Sequence, residues 1–169
     1  MHEKPKEYCG LCAVSGGADV LERVHLGLHS IQHRGQEATG VMVALPDGES
    51  LLHKAPGLVG EVFARIPDSW PVHDVTRAIS HVRYGTAGGS TAVNAQPLMV
   101  NVAGHTVGIA HNGTICNAPS LREELLQDGA IYQTSTDTEL ILHLMARAAK
   151  DCDGDLWKAL EEALGRLKG

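Results

Sequence analysis

Aromatic residues are scarce in this 169-residue sequence: they make up 4% of it, and phenylalanine occurs once. The interior must therefore be built from aliphatic side chains, and a hydrophobic content of 43% is enough for one domain with a sizeable core. No run of about 18 apolar residues occurs, so the sequence predicts no membrane-spanning helix. Basic residues form no cluster and the net charge is −6, which argues against nucleic acid as a partner.

The N-terminus lacks the apolar stretch of a signal peptide, which predicts a cytoplasmic protein. Its cysteines are then expected to be reduced: Cys9, Cys12, Cys116 and Cys152. Cys9 and Cys12 do form a C-x-x-C pair. A zinc or redox site would need further ligands at a matching spacing, and the other two cysteines stand far apart. We therefore expect no metal site in this chain.

Cys9 stands where the chain changes character. Residues 1–8 are polar, whereas 9–14 are apolar and typical of a buried strand, so the sequence predicts a strand that begins with a cysteine. If the bond between Tyr8 and Cys9 is cut, Cys9 carries a thiol and an α-amino group with a pKa near ~8. That amino group can accept the thiol proton and activate the sulfur as a nucleophile. The alternative is a buried structural cysteine.

Hydrophobic periodicity and turn signals organise the rest of the chain. Strands are predicted at 9–14, 40–45, 50–54, 77–84, 96–102 and 106–111. Helices are predicted at 20–32, 57–63, 117–128, 140–148 and 156–167. Helices on both faces of mostly antiparallel strands would bury this pattern, which is an α+β arrangement.

Polar residues mark the expected helix ends. Asp19, Asn117 and Asp155 are candidate N-caps, and residues 136–139 match a capping box. Gly35 has two interpretations: a left-handed residue that ends a helix, or a position where the backbone can approach a bound ligand closely. The Asn112-Gly113 pair also has a purely structural interpretation, because Asn-Gly is a strong tight-turn signal.

Taken together, stretches of the sequence resemble one known family. They are CGLC at 9–12, LHSIQHRGQE at 28–37, HVRYGTAG at 81–88, AHNG at 110–113 and TSTDTE at 134–139. In this order they resemble the glutaminase domains of the amidophosphoribosyltransferase family, which are class II glutamine amidotransferases. The resemblance implies an N-terminal-nucleophile hydrolase αββα sandwich, incomplete at its C-terminal end, with a leader at 1–8 and the glutaminase domain at 9–169.

The resemblance also implies roles for individual residues. Cys9 is expected to attack the side-chain amide of glutamine, while the Asn112 side chain and the Gly113 N–H stabilise the resulting oxyanion. The ten histidines invite a triad hypothesis, but the family's chemistry needs no histidine base, so His81 and His111 are expected to be structural.

Further residues are implied to bind the amino-acid part of glutamine. Arg83 would hold the α-carboxylate through a bidentate contact that lysine cannot reproduce. Asp137 would pair with the α-ammonium group, whereas a solvated carboxylate at a helix start is its alternative. Gly35 and Thr86 would line the same pocket.

The family's activity also needs parts that this chain lacks. A phosphoribosyltransferase domain is implied to follow, and phosphoribosyl pyrophosphate and magnesium would bind only there. Some members carry a 4Fe-4S cluster, whose ligands would also lie in that missing part, and a homo-oligomer is expected at full length. The implied function is to supply ammonia for 5-phosphoribosylamine formation in purine biosynthesis. The alternatives are a glutaminase domain that serves another acceptor and a non-catalytic fragment that binds glutamine or a partner.

Overall fold

Two antiparallel sheets contain the strands of the described residues, which in this computed structural model are 9–84 and 92–169. The chain divides into two compact units, Met1–Pro97 and Leu98–Gly169, with one sheet in each. The predicted α+β arrangement of antiparallel strands and helices is confirmed. Among the described residues, no helix is both long enough and apolar enough to span a bilayer.

The first unit is a four-stranded sheet that carries one long helix. Its elements are β1 Gly10–Ser15, α1 Val20–Ser30, β2 Ala38–Ala44, β3 Ser50–Pro56, α2 Val59–Phe63 and β4 Arg77–Arg83, with 3-10 turns at Gln32–Arg34 and Ala92–Asn94. The strand order is β1-β4-β2-β3, and every neighbouring pair is antiparallel. Strand β4 therefore lies between β1 and β2. Its last residue is Arg83, which lies at one end of the sheet.

The core of this unit is aliphatic, as the composition predicted. Helix α1 buries Val20, Val24 and Leu28, which recur every four residues along one face. They belong to two apolar clusters that also contain sheet residues such as Val41 and Val82. Burying each of these side chains contributes roughly 1.5–3 kcal/mol, so this face of α1 is enough to attach the helix firmly to the sheet.

The second unit combines a hairpin with a group of helices. Its elements are β5 Leu98–Val102, β6 His105–Ile109, α3 Ala118–Gln127, α4 Thr138–Asp151 and α5 Leu156–Gly165. Residues Ala103 and Gly104, both with positive φ, form the hairpin turn as predicted. Helix α4 buries Leu140, Leu144 and their neighbours against the apolar residues of α3 and α5.

The start of β1 differs from the prediction. Cys9 has a φ of 64°, outside the β region, so the strand begins at Gly10 rather than at the cysteine. Strand β1 lies at the edge of the sheet, and its burial alternates along the strand, so it is half-buried rather than buried. Helix α1 also ends at Ser30, two residues before the predicted end, because the chain tightens into a 3-10 turn.

The predicted caps have mixed outcomes. Asp155 caps α5 as expected, accepting hydrogen bonds from the Trp157 and Lys158 backbone N–H groups. Asp19 and Asn117 occupy N-cap positions but make no side-chain cap. The Asn117 amide instead bonds the chain at the C-terminus, donating to the Arg166 carbonyl and accepting from the Lys168 N–H.

Gly35 permits a close approach between two backbone segments. Its φ of −161° is extended, so the left-handed interpretation is wrong. A Cβ at Gly35 would lie 2.6 Å from the Arg83 carbonyl carbon and 2.7 Å from the Val82 carbonyl oxygen. The close contact at Gly35 is therefore with the backbone at the end of β4, and the approach to a bound ligand stays a prediction.

Replacing Gly35 by alanine is expected to lower the free energy of unfolding. The new methyl group would meet backbone atoms that cannot rotate away, and such overpacking costs about 1–3 kcal/mol. Gly60→Ala is the matched control, because a Cβ at this position in α2 meets nothing within 4 Å. Urea unfolding of both variants checks the prediction, and equal stabilities would contradict it.

Candidate functional site

Cys9 is held in place by Arg34 and by the end of β4. Its backbone N–H donates to the Arg34 carbonyl at 3.1 Å, and its own carbonyl accepts from Arg34 Nε at 2.8 Å. The Cys9 Sγ accepts a hydrogen bond from the Tyr84 N–H at 3.4 Å. These contacts fix both the backbone and the sulfur of a residue that lies outside the regular strand.

Cys12 lies in a different environment, although it is only three residues away. Its side chain packs against α1, so closely that a Cβ at Gly27 would clash with its sulfur, and it adjoins the apolar cluster around Leu28. Burial raises the pKa of the Cys12 thiol above its ordinary value. Cys12 is therefore a poor nucleophile. All four cysteines are free, and among the described residues no group of three or more His, Cys, Asp or Glu could hold a metal ion.

Arg83 is the last residue of β4, and its guanidinium group has two partners in the first unit. Its Nη1 donates to the Asn94 carbonyl at 3.0 Å, and its Nε lies 3.8 Å from Glu37 Oε2. The Glu37 backbone N–H in turn donates to the Arg83 carbonyl at 3.1 Å. Arg83 is thus fastened through both its backbone and its side chain, which suits a group that must present a fixed charge.

Asn112 and Gly113 lie in an irregular segment between β6 and α3. They join a strand to a helix, and the chain bends at Gly113 without forming the tight turn that the Asn-Gly pair predicted. Both residues are exposed in their unit. Gly113 has a φ of 141°, and a Cβ there would approach His111 Nε2 to 3.2 Å, so glycine is strongly favoured at this position.

Asp137 lies at the N-cap of α4 and contacts the segment that carries Asn112. Its Oδ2 accepts a hydrogen bond from the Ile115 N–H at 2.9 Å, and its Oδ1 lies 3.8 Å from His111 Nδ1. Burial would raise the pKa of the Asp137 carboxyl, but the contacts with His111 and with the Ile115 N–H outweigh burial and hold that pKa below its ordinary value. The 2.9 Å hydrogen bond from the Ile115 N–H is the closer of these two contacts, since 3.8 Å is longer than a hydrogen bond.

The predicted capping box at 136–139 does not form. Glu139 is 7% exposed and reaches past Thr136 to accept hydrogen bonds from the Gln133 N–H at 2.8 Å and from the Thr134 N–H and hydroxyl at 2.7 Å each. Arg122 Nη2 donates to the Thr136 carbonyl at 2.9 Å. The segment before Asp137 is therefore tied to both α3 and α4.

The predicted site residues fall into two groups. Cys9, Gly35 and Arg83 meet near the end of β4 in the first unit, whereas Asn112, Gly113 and Asp137 lie together in the second. Thr86 lies outside the described residues. Sequence reasoning assigned no role to Arg34 and Glu37, which contact the first group, and expected His111, which contacts Asp137 in the second group, to be structural. All three belong to the stretches that carried the family resemblance, and that was the available signal.

A cavity of about 640 Å³ in the first unit lies away from these residues. It opens between α1, α2 and the segment at 64–73, and its lining includes His25, Phe63 and Trp70. None of the predicted site residues lines it. We therefore do not assign glutamine to this cavity.

Comparisons with known proteins decide the family. The family described as "Glutamine amidotransferase domain" matches residues 58–157. An amidophosphoribosyltransferase of Lacticaseibacillus casei is 39% identical over 173 residues, which cover 100% of this chain and 86% of that protein. The chain belongs to the amidophosphoribosyltransferase family. The amidophosphoribosyltransferase of Bacillus subtilis (strain 168) is 39% identical, with 96% of this chain and 33% of that protein covered.

Amidophosphoribosyltransferase structures share this fold. The structure of glutamine phosphoribosylpyrophosphate amidotransferase from B. subtilis, complexed with ADP and GMP, matches with a TM-score of 0.81 at 35% identity. The match covers 94% of this chain and 33% of that one, so the chain spans about a third of this longer relative. The predicted N-terminal-nucleophile hydrolase fold is thereby confirmed.

Glu139→Ala is expected to destabilise the protein by at least about 1.5–3 kcal/mol, the typical contribution of one hydrogen bond to a charged group, because it leaves the Gln133 and Thr134 N–H groups without their acceptor. Glu123→Ala is the control, since Glu123 is an exposed glutamate on α3 and such changes stay within about 0.5 kcal/mol. Thermal and urea unfolding measure both. A loss at Glu139 no larger than at Glu123 would show that the three contacts contribute little.

Proposed function

We propose that this chain is the glutaminase part of an amidophosphoribosyltransferase and that it hydrolyses the side-chain amide of glutamine to release ammonia. Family membership supports the reaction class. The observation that carries the proposal is the setting of Cys9: its backbone is fixed by Arg34, and its sulfur lies beside the Tyr84 N–H at the end of β4. Such a setting differs from that of a cysteine that only fills a core.

The proposed reaction proceeds through a thioester. The Cys9 sulfur attacks the amide carbon of glutamine, and the α-amino group of Cys9 accepts the thiol proton. The tetrahedral intermediate bears an oxyanion, for which the Asn112 side-chain amide and the Gly113 N–H are the proposed donors, each contributing roughly 3–4 kcal/mol. The intermediate then collapses, the amino group protonates the leaving nitrogen, and ammonia departs. Water hydrolyses the resulting thioester to glutamate and regenerates the thiol.

This mechanism requires cleavage after Tyr8. While that bond is intact, the nitrogen of Cys9 is an amide whose lone pair is delocalised, so it cannot act as a base. The hydrogen bond from this nitrogen to the Arg34 carbonyl supports the assignment, because a free amino group can keep the same bond. One N–H would remain directed at Arg34, and the lone pair would be available to the thiol of the same residue.

The proposed substrate contacts follow the chemistry of glutamine. Arg83, held by Glu37 and by the Asn94 carbonyl, would bind the α-carboxylate. Asp137, whose lowered carboxyl pKa keeps it ionised at neutral pH, would pair with the α-ammonium group. Gly35 and Thr86 complete the proposed pocket.

In the longer relatives the ammonia would be consumed elsewhere. We propose that it converts phosphoribosyl pyrophosphate to 5-phosphoribosylamine in purine biosynthesis, which the names of the solved relatives support. Phosphoribosyl pyrophosphate, magnesium and any 4Fe-4S cluster would bind in parts of the longer relatives that this chain does not span. A cytoplasmic location and a homo-oligomeric full-length protein remain predictions.

Cys9→Ala is expected to abolish glutamine hydrolysis, whereas Cys12→Ala should keep most of it, because only Cys9 can become the first residue. The full chain is expressed with methionine directly before Cys9, so that methionine removal exposes the cysteine, and glutamate release is measured. An active Cys9→Ala variant would refute the nucleophile assignment, and so would a folded Cys12→Ala variant that is equally inactive. A wild-type chain that binds glutamine without hydrolysing it would favour the non-catalytic alternative.

A second form tests the base in the same assay. It retains residues 1–8 and carries a substitution at Tyr8 that blocks cleavage, and N-terminal sequencing verifies its leader. We expect this form to be inactive. Hydrolysis as fast as in the trimmed form would show that the α-amino group is not the base.

Arg83→Lys is expected to raise the KM for glutamine about tenfold to a hundredfold, because a point charge replaces a two-pronged contact worth about 1.5–3 kcal/mol. Arg77→Lys is the matched control: it makes the same change at the exposed start of the same strand. Steady-state kinetics with glutamine give the KM of both variants. Similar KM values for the two would exclude Arg83 as the carboxylate ligand.

A further inference from the structure

One carboxylate contacts both ends of the segment that carries the proposed oxyanion donors. We call residues 111–115 the oxyanion loop. Asp137 accepts a hydrogen bond from the N–H of Ile115 and lies against the imidazole of His111, the last and first residues of that loop. Asn112 and Gly113 lie between these two contacts. We infer that Asp137, together with His111, is a clasp that positions the oxyanion loop, in addition to its proposed contact with substrate.

The backbone of Asp137 is anchored at the start of α4 in the second unit. The Asp137 carbonyl accepts from the Leu140 N–H at 3.0 Å in the first turn of α4, and Leu140 is fully buried. The segment before Asp137 is tied down by the buried carboxylate of Glu139. Because the backbone of Asp137 is held in place, its carboxylate can fix the position of the groups that it contacts.

The loop itself depends on such contacts. Ile115 is buried in the apolar cluster of the helices, whereas residues 112–114 are exposed. Between the residues that the structure describes, no hydrogen bond holds the backbone of Asn112 or Gly113 itself, so the position of this backbone depends on the contacts of its neighbours in the loop. Because a misplacement of about 1 Å can reduce a rate a hundredfold, the geometry of these donors should depend on the clasp.

The inference rests on the proposed glutaminase function and adds a coupling to it. The same carboxylate would meet the α-ammonium group of glutamine and hold the loop that stabilises the oxyanion. Binding of the ammonium group and placement of the oxyanion donors would therefore not be independent. A substrate without the α-amino group separates the two roles, because only the clasp can then affect its rate.

The test compares Asp137→Asn with Asp137→Ala in the full chain that begins at Cys9. Asparagine keeps a carbonyl oxygen for the Ile115 N–H and loses the charge, whereas alanine loses both. With glutamine, we expect both variants to show a raised KM. With 4-carbamoylbutanoate, which is glutamine without its α-amino group, Asp137→Ala should lose about tenfold to a hundredfold in kcat/KM, and Asp137→Asn should lose less, because it keeps the acceptor for the Ile115 N–H but not the charge that faces His111.

Variants of His111 test the clasp independently of Asp137. His111→Ala should lower kcat for glutamine about tenfold and leave KM nearly unchanged, because it acts on the loop rather than on the substrate. His111→Asn should restore part of kcat, because its side-chain amide nitrogen can occupy the place of Nδ1. A loss that affects KM alone, or no rescue by asparagine, would remove His111 from the clasp.

Amide hydrogen exchange tests the clasp without any activity. The Ile115 amide should stay protected in Asp137→Asn and lose protection in Asp137→Ala, with the Leu125 amide in α3 as the reference for overall stability. If the two variants give equal rates with 4-carbamoylbutanoate and equal Ile115 exchange, the clasp is refuted. If the wild-type chain hydrolyses neither amide but Ile115 exchange follows the expected order, the clasp stands and the glutaminase proposal fails.

Discussion

The register of β4 between its two neighbours is the constraint on which the first half of the proposed site depends. Gly10 of β1 pairs with Val82, and Ala38 of β2 pairs with Arg83. A slip of one residue would turn Arg83 to the opposite face of the sheet and would move the N–H that follows it away from Cys9. Gly35 reinforces the register, because its lack of a side chain lets the preceding turn lie directly on the β4 backbone.

In the second unit, charged side chains rather than strand pairing hold the proposed site residues in position. Glu139 and Asp137 both accept backbone N–H groups from segments that have no regular structure, and Arg122 donates to a carbonyl in one of them. Hydrogen bonds that involve an ion are stronger than neutral ones, so a few of them can order a loop that no sheet supports. The depressed carboxyl pKa of Asp137 follows from this arrangement, since the contacts that order the loop also favour the charged form.

Most of the elements could be predicted from the sequence, because hydrophobic periodicity is local. The helix that begins after Asp19, the hairpin turn at Ala103 and the cap at Asp155 all depend on residues a few positions apart. Two of the errors concern the hydrogen-bond partners of polar side chains. Asn117 looks like a helix cap but bonds residues about fifty positions later, and Glu139 bypasses the neighbouring threonine of its apparent capping box. A local pattern cannot distinguish these partners, because the competing hydrogen bonds become available only in the folded chain.

Strand geometry also places two cysteines that are three residues apart in different surroundings. Alternation along β1 turns Cys12 towards α1, where burial disfavours its thiolate and raises the pKa of the thiol. Cys9 precedes the first paired residue of β1, where its positive φ takes it out of the strand, and its sulfur meets the Tyr84 N–H instead of an apolar cluster. The proposed division between a reactive and a structural cysteine thus follows from where the strand begins.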